Sequence, residues 1–209
     1  MAAKKTTAKT SKTAKPIASK KPPAATVANK AGPAKTPKAA PAKAAVKPVK
    51  AAPTAGAKSG LAEGSKAPSF SLPDETGAIV SSASLAGKPY VIYFYPKDDT
   101  PGCTKEACDF RDNLRAFNTQ KVRVLGVSPD APKAHAKFKE KYGLTFTLLS
   151  DTEKSLIEAY GIWIKKLNYG REYMGVQRST FIVDKSGKIA KAWHGVRVPG
   201  HVEAVLAAL

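Results

Sequence analysis

Short apolar runs alternate with amphipathic stretches from about residue 61 to the end of the chain. The strongest of these signals is residues 90–95, an unbroken apolar and aromatic run that reads YVIYFY and is followed by Pro96. A run of this length without polar alternation is typical of a strand that is covered on both faces. We therefore expect residues 90–95 to form the central strand of the domain and Pro96 to end it.

The rest of the pattern predicts strands and helices in alternation. Apolar spacing and turn residues indicate strands at residues 70–72, 78–80, 122–127, 147–149, 178–184 and 189–193, the last two joined by a hairpin turn at 185–188. Helical spacing and boundary residues indicate helices at residues 101–119, 131–142, 153–160 and 201–208, with a basic connection at 165–171. This order predicts an α/β fold, a three-layer sandwich in which helices flank a central mixed sheet.

Composition separates the first 60 residues from the remainder. Residues 1–60 contain 14 lysines, 8 prolines and 19 alanines, but no acidic and no aromatic residue. Such a segment cannot bury enough apolar area to offset the entropy of its chain. We therefore predict a disordered tail at residues 1–60 and a single domain at residues 61–209, a typical size for one domain.

The tail carries +14 of the chain's formal charge of +19. Its lysines and prolines predict an extended cationic ribbon, and in composition it resembles the tails of linker histones and bacterial histone-like proteins. The expected partner is a polyanion such as DNA, bound without base specificity and with a strong dependence on salt. A solvating leader remains an alternative, and so does a transit peptide, although such peptides favour arginine and this tail has none.

The chain has no apolar run of about 18 residues, so no membrane span is expected. It also shows no apolar region behind the N-terminus that would indicate a secretory signal. Two cysteines in 209 residues do not form a disulfide framework, which favours a reducing compartment. We expect a cytoplasmic protein, with association with the nucleoid, a nuclear location and a plastid as alternatives.

Both cysteines follow the central strand at a predicted helix start. Thr100 precedes Pro101, a pair typical of a helix in which Thr caps free amides and Pro takes the first helical position. Cys103 then falls in the first turn, where unpaired N–H groups and the helix dipole favour the reactive thiolate. Because Asp98 and Asp99 are close in sequence and would disfavour a thiolate, we expect a cation from elsewhere to lie near Cys103.

Cys108 follows Cys103 by five residues. In an intact helix, Cα atoms at this spacing are roughly 8.7 Å apart, whereas a disulfide usually requires about 4.4–6.8 Å. One hypothesis is a switch, in which oxidation at Cys103 is followed by local unwinding and capture by Cys108. The alternative is that both cysteines are small buried hydrophobic residues, and the spacing leaves both interpretations open.

Three further residues are interpreted structurally. His135, surrounded by lysines in HAKFK, is predicted to be solvated rather than a ligand. His194 follows a predicted strand and is expected to have a structural role, and Trp163 is expected in the core or in a pocket wall. The sequence offers no clustered set of His and Cys ligands for a metal.

The stretch PKDDTPGCTKEAC resembles the peroxiredoxins, specifically the bacterioferritin-comigratory or Q-type branch. The family pattern PxxxTxxC falls on Pro96, Thr100 and Cys103. The active-site arginine of the family matches Arg178 in QRSTFIVD, and Cys108 lies where this branch often carries its resolving cysteine. The pattern GxxAPxFxLxDxxG also matches at residues 64–77.

This resemblance covers about residues 61–209 and implies a thioredoxin-like fold, a peroxide substrate and no metal, flavin or haem. It implies that Cys103 is the nucleophile, with Thr100 and the Cys103 amide holding the peroxide. Pro96 and Pro101 would shield the thiolate, and Arg178 would be the missing cation. Glu106 would only support the helix.

The implied cycle runs from thiolate to sulfenic acid, then to a disulfide between Cys103 and Cys108 that thioredoxin or a similar dithiol reduces. Members of this branch are often monomers, and we expect a monomer here. A thioredoxin-type disulfide reductase is disfavoured because such enzymes use CxxC, and four residues separate these cysteines. The alternative function is a histone-like DNA-binding protein with an incidental thioredoxin-fold domain.

Overall fold

A computed structural model describes residues 60–168 and 170–209, and the predicted tail lies outside these residues apart from Gly60. The strands are β1 Ser71–Pro73, β2 Ile79–Ser81, β3 Tyr90–Phe94, β4 Arg123–Ser128, β5 Thr147–Ser150, β6 Trp163–Asn168, β7 Arg171–Val176, β8 Ser179–Val183 and β9 Ile189–His194. The helices are α1 Pro101–Asp112, α2 Leu114–Thr119, α3 Pro132–Tyr142, α4 Ser155–Ala159 and α5 His201–Ala207, with a 3₁₀ turn at Ser82–Leu85.

In the described part of the chain, the main sheet has five strands in the order β5-β4-β3-β8-β9. The predicted central strand is confirmed, because β3 pairs in parallel with β4 and antiparallel with β8, and all five of its residues are buried. The sheet is therefore mixed, as predicted. The hairpin between β8 and β9 is also confirmed.

Successive residues of β3 point to opposite faces of the sheet and enter two separate hydrophobic clusters. Tyr90, Ile92 and Phe94 pack in the first cluster with residues of α4 and β8. Val91 and Tyr93 pack in the second cluster, which also contains Cys103 and other residues of α1. Because both faces of β3 are covered, the burial predicted from its unbroken apolar run is confirmed, as is the three-layer arrangement predicted from the order of strands and helices.

Two of the predicted elements differ from the structure. The helix expected at residues 101–119 is interrupted at Asn113, whose side chain donates to the carbonyl of Asp109 at 2.9 Å. The basic connection expected at residues 165–171 belongs to an antiparallel hairpin of β6 and β7, which turns next to Gly170 at φ +76°. Its charged side chains masked the two-residue period of the strands.

The prediction that His135 is solvated was wrong. Its side chain is fully buried, Nδ1 lies 2.7 Å from Oδ2 of Asp98, and Nε2 donates to the carbonyl of Leu149 at 3.2 Å. The feature of the sequence that indicates its burial is its three-residue spacing from Phe138, which is also buried on the inner face of α3. The imidazole therefore connects α3 to the loop that precedes α1.

The other structural interpretations agree with the structure. Trp163 packs against the first hydrophobic cluster, and Nε2 of His194 donates to the carbonyl of Leu61 at 3.2 Å. Among the described residues, no helix combines the length and apolar character that a transmembrane span requires.

Candidate active site

The start of α1 places Cys103 beneath the surface. Pro101 occupies the first helical position after Thr100, as predicted, and Cys103 lies in the first turn with 1% of its surface exposed. The first helical hydrogen bond of α1 runs from the Thr104 amide to the Thr100 carbonyl at 2.8 Å. The Cys103 amide precedes this bond, so it belongs to the set of first-turn donors at the positive end of the helix dipole.

The predicted capping role of Thr100 was wrong. Its hydroxyl makes no side-chain cap of α1 and donates instead to the carbonyl of Lys97 at 3.2 Å. This contact closes the turn between β3 and α1. Pro96 lies directly after Tyr95 and is exposed, so it contributes to the surface of this turn.

Arg178 reaches the Cys103 sulfur from the segment that precedes β8. It directly precedes β8, and because Ser179 pairs with Phe94, this end of β8 lies beside the loop that leads from β3 into α1. Nη2 of Arg178 donates to Sγ of Cys103 at 3.2 Å. A Cβ on Gly102 would lie 3.3 Å from the same nitrogen, so the glycine gives the guanidinium room. The expected cation is thus present.

Glu106 is the site residue whose role the sequence interpretation underestimated. It is fully buried, and Oε2 accepts a charge-assisted hydrogen bond from Nη1 of Arg178. Its other oxygen, Oε1, has no hydrogen-bond partner among the described residues. The signal was its three-residue spacing from Cys103, which places both side chains on one helix face.

Burial and charge act against each other in this group. Burial raises the pKa of Glu106 to about 7, although Arg178 partly opposes the shift. Burial alone would lower the pKa of Arg178, but the neighbouring Glu106 and Cys103 raise it above its ordinary value. Arg178 therefore stays charged across the physiological range and is shared between a carboxylate and a sulfur.

Asp98 and Asp99, whose charges would disfavour a thiolate, are bound to other side chains. Asp98 accepts hydrogen bonds from the Tyr95 hydroxyl at 2.7 Å and shares another with His135. Asp99 pairs with Lys141, whose Nζ lies 2.7 Å from its carboxylate. Each carboxylate thus has its own donors, one of which comes from α3 in both cases.

Cys103 and Cys108 are both free thiols in this structure. They lie in one uninterrupted helix, and Cys108 is only partly buried. Helix geometry keeps their Cα atoms roughly 8.7 Å apart, too far for a disulfide. Oxidation to a disulfide therefore requires the first turns of α1 to open.

The arrangement can stabilise negative charge on sulfur and on an oxygen bound to it. A guanidinium and the first-turn amides supply donors, and the almost complete burial of the sulfur strengthens their effect. A buried thiolate with such donors is a suitable nucleophile for a small electrophile.

Comparison with known proteins agrees with this chemistry. The AhpC/TSA family profile matches residues 64–192. Peroxiredoxin Bcp of Bacillus subtilis is 49% identical over 146 residues, covering 70% of this chain and 93% of the relative. A putative peroxiredoxin bcp of Coxiella burnetii is also 49% identical over 146 residues, covering 70% of this chain and 97% of the relative.

Solved structures give the same result for the fold. Peroxiredoxin Q of Xanthomonas campestris matches with a TM-score of 0.64 and 42% identity over 66% of this chain and 88% of that chain. Another structure, of the bacterioferritin comigratory protein of that organism, has the same TM-score and coverage at 41% identity and is described in terms of alkyl peroxide reduction activity. The expected thioredoxin-like fold is confirmed, and the chain belongs to the AhpC/TSA family as a peroxiredoxin of the bacterioferritin-comigratory or Q type.

Proposed function

We propose that this protein is a thiol peroxidase that reduces hydrogen peroxide and organic hydroperoxides through Cys103. The observation that carries the proposal is the 3.2 Å hydrogen bond from Arg178 to the sulfur at the start of α1. The alkyl peroxide reduction described for the Xanthomonas relative supports organic hydroperoxides as substrates.

The first step is attack of the Cys103 thiolate on the terminal oxygen of the hydroperoxide. A sulfur–oxygen bond forms, the oxygen–oxygen bond breaks, and the leaving hydroxide or alkoxide takes a proton from water. Because the Thr100 hydroxyl already donates to Lys97, its lone pairs accept the O–H of the hydroperoxide. Arg178 and the Cys103 amide donate to the peroxide oxygens.

The second step regenerates the thiol through Cys108. The sulfenic acid on Cys103 condenses with the Cys108 thiol once the first turns of α1 open, and water is released. Thioredoxin or another dithiol protein then reduces the disulfide. We propose that the enzyme acts as a cytoplasmic monomer in this cycle.

Two cysteine variants test these roles. Cys103→Ser should abolish consumption of peroxide, because a serine hydroxyl is not ionised near pH 7. Cys108→Ser should react once with peroxide, lose turnover with thioredoxin and become over-oxidised, as mass spectrometry would show. Peroxidase activity in Cys103→Ser would contradict the assignment of the nucleophile, and full turnover in Cys108→Ser would mean that another thiol resolves the intermediate.

A second function is proposed for residues 1–60, which carry 14 lysines and no acid. These residues would hold the enzyme on DNA through counterion release, without base specificity. Deletion of residues 1–60 should abolish DNA retention and leave peroxidase activity intact, whereas Cys103→Ser should do the reverse. If the chain were a histone-like protein with an incidental domain, the full chain would bind DNA but would not consume peroxide.

A further inference from the structure

Lys166 lies on β6 and extends toward the end of β7, shortly before Arg178. The register pairs Lys166 with Tyr173, and the next pair on the same face contains Gly175. A Cβ on Gly175 would lie 3.4 Å from Cδ of Lys166, so the side chain passes over the glycine. Its ammonium donates to the carbonyl of Val176 at 2.6 Å. Val176 precedes Arg178 by two residues.

The charges around this ammonium belong to the active site. Partial burial lowers the pKa of Lys166, the like charge of Arg178 lowers it further, and the charge of Cys103 opposes both. Glu106 pairs with Arg178, whose charge also acts on the buried Tyr93. Burial and the charge of Arg178 lower the pKa of His201 to about 4. Lys166 is therefore within electrostatic reach of the reacting sulfur.

Lys166 also differs from its neighbour Lys165. The Lys165 ammonium pairs with Glu172 on the opposite face of the hairpin. Among residues 60–168 and 170–209, no ion pair to a carboxylate is formed by Lys166, whose polar contact is the Val176 carbonyl. Its positive charge is thus not neutralised by a local anion.

The difference in burial between Cys103 and Lys166 indicates which reacting atom the lysine charge stabilises. The Cys103 sulfur is almost fully buried and already has Arg178, whereas Lys166 is only partly buried and lies toward the exterior. Because the sulfur is almost fully buried, a peroxide must reach it from the exterior, and in-line attack then leaves the departing oxygen farther out than the oxygen that is attacked.

We propose that Lys166 is a second cation of the peroxide site, which stabilises the negative charge that develops on the leaving oxygen. The proposal rests on the proposed thiol peroxidase function. Two electrons from the thiolate form the sulfur–oxygen bond. The electron pair of the broken oxygen–oxygen bond leaves with the alkoxide or hydroxide, and water protonates this anion. Lys166 keeps its own protons and acts by its charge.

The test compares leaving groups of different basicity in the full-length protein. Single-turnover oxidation of Cys103 is followed by tryptophan fluorescence with tert-butyl hydroperoxide, which releases an alkoxide, and with peracetic acid, which releases acetate. In Lys166→Met, the rate constant should fall about tenfold with tert-butyl hydroperoxide and by less than about twofold with peracetic acid. Acetate is a weakly basic anion, so its departure requires little stabilisation by a cation.

Lys166→Arg should retain both rate constants within about twofold, because it retains the charge. Lys165→Met is the matched control, since it removes a lysine from the opposite face of the same hairpin, and it should behave like the wild type. Equal slowing of both peroxides in Lys166→Met would indicate a merely structural role and overturn the proposal, as would wild-type rates in that variant. Lack of peroxidase activity in the wild type would instead refute the proposed function itself.

Discussion

Arg178 is the residue on which the geometry of the active site depends. Nη2 contacts the Cys103 sulfur, and Nη1 contacts Glu106, so one planar guanidinium bridges two groups of the same helix. Lysine cannot reproduce this arrangement, because its ammonium is a single point charge. The bridge also gives the buried Glu106 a charge partner, without which its desolvation would be costly.

We expect Arg178→Lys to slow oxidation of Cys103 by roughly 100-fold, because a donor to the reacting atoms is lost. The measurement is the second-order rate constant for hydrogen peroxide. Arg171→Lys, on an exposed position of β7, is the matched control and should not change it. A wild-type rate in Arg178→Lys would show that charge alone, without the two-pronged geometry, is sufficient.

Glu106 should make the stability of the protein depend on pH. Its folded-state pKa of about 7 lies above its ordinary value of 4.5, so the folded protein keeps a proton that the unfolded chain loses. This contribution is fully present below the unfolded pKa and is lost as pH rises through the folded pKa. The free energy of unfolding of the wild type relative to Glu106→Gln should therefore fall by about 2–4 kcal/mol between those pH values.

Urea unfolding of both proteins over this pH range measures the difference. Above about pH 8 the difference should be nearly constant, because Glu106 is then ionised in both states. Parallel stability curves from pH 4.5 to pH 8 would mean that Glu106 does not carry the perturbed titration.

At the scale of secondary-structure elements, β3 and β4 approach each other closely at one position. Tyr93 pairs with Gly126 in the parallel ladder, and a Cβ on that glycine would lie 2.8 Å from the Tyr93 hydroxyl and 2.7 Å from Leu148. The glycine thus gives room to a buried tyrosine ring that stacks on Phe110 of α1 at 4.6 Å between ring centroids. The packing of α1 on the sheet depends on this gap.

Gly126→Ala should lower the free energy of unfolding by about 1–3 kcal/mol, because overpacking displaces Tyr93 or Leu148. A thermal or urea unfolding experiment measures the loss. An unchanged melting temperature would contradict such close packing between the two strands.

The helix α1 must open for the two cysteines to meet. After one equivalent of peroxide, we expect the amides of residues 103–108 to exchange with deuterium at least about tenfold faster than in the reduced protein, since local unwinding removes their protection. Cys108→Ser is the control, because the sulfenic acid on Cys103 of this variant cannot form the disulfide that holds the helix open. Equal exchange in oxidised and reduced wild type would contradict unwinding.

At the scale of the whole molecule, positive charge is concentrated at one end of the sequence. Residues 1–60 carry +14, whereas residues 61–209 contain 21 basic and 16 acidic residues and carry +5. Steering and retention by a polyanion would therefore act through the tail and leave the active site unchanged. Under the proposed contact with DNA, the tail would hold the enzyme in place and the domain at residues 61–209 would perform the reaction.

We expect the affinity of the full chain for duplex DNA to fall by roughly 10³-fold or more between 50 and 200 mM salt, as for six to ten phosphate contacts. Fluorescence anisotropy with a labelled duplex of mixed sequence measures this dependence. The chain without residues 1–60 should show little binding at either salt concentration. Salt-independent binding by the full chain would remove the electrostatic explanation of the tail.

Local signals explain why much of the fold could be predicted from the sequence. The apolar run of β3, the Thr-Pro start of α1 and the turn between β8 and β9 each depend on interactions within a few residues. The same local signals located Cys103 in a first helical turn. Arg178 was identified only because its surroundings resemble a family pattern, since no local periodicity distinguishes it from a surface arginine.

The sequence alone determined the order of the elements apart from the β6–β7 hairpin, the position of Cys103 in a first helical turn and the uneven distribution of charge. Tertiary structure alone decided that Glu106 bridges to Arg178, that His135 is buried against Asp98 and that the Lys166 ammonium contacts the Val176 carbonyl. The Arg178 contacts join residues 75 and 72 positions apart, and the His135 contact spans 37 positions. The side chains that meet over such distances depend on how the sheet and helices pack, which no short stretch of sequence encodes.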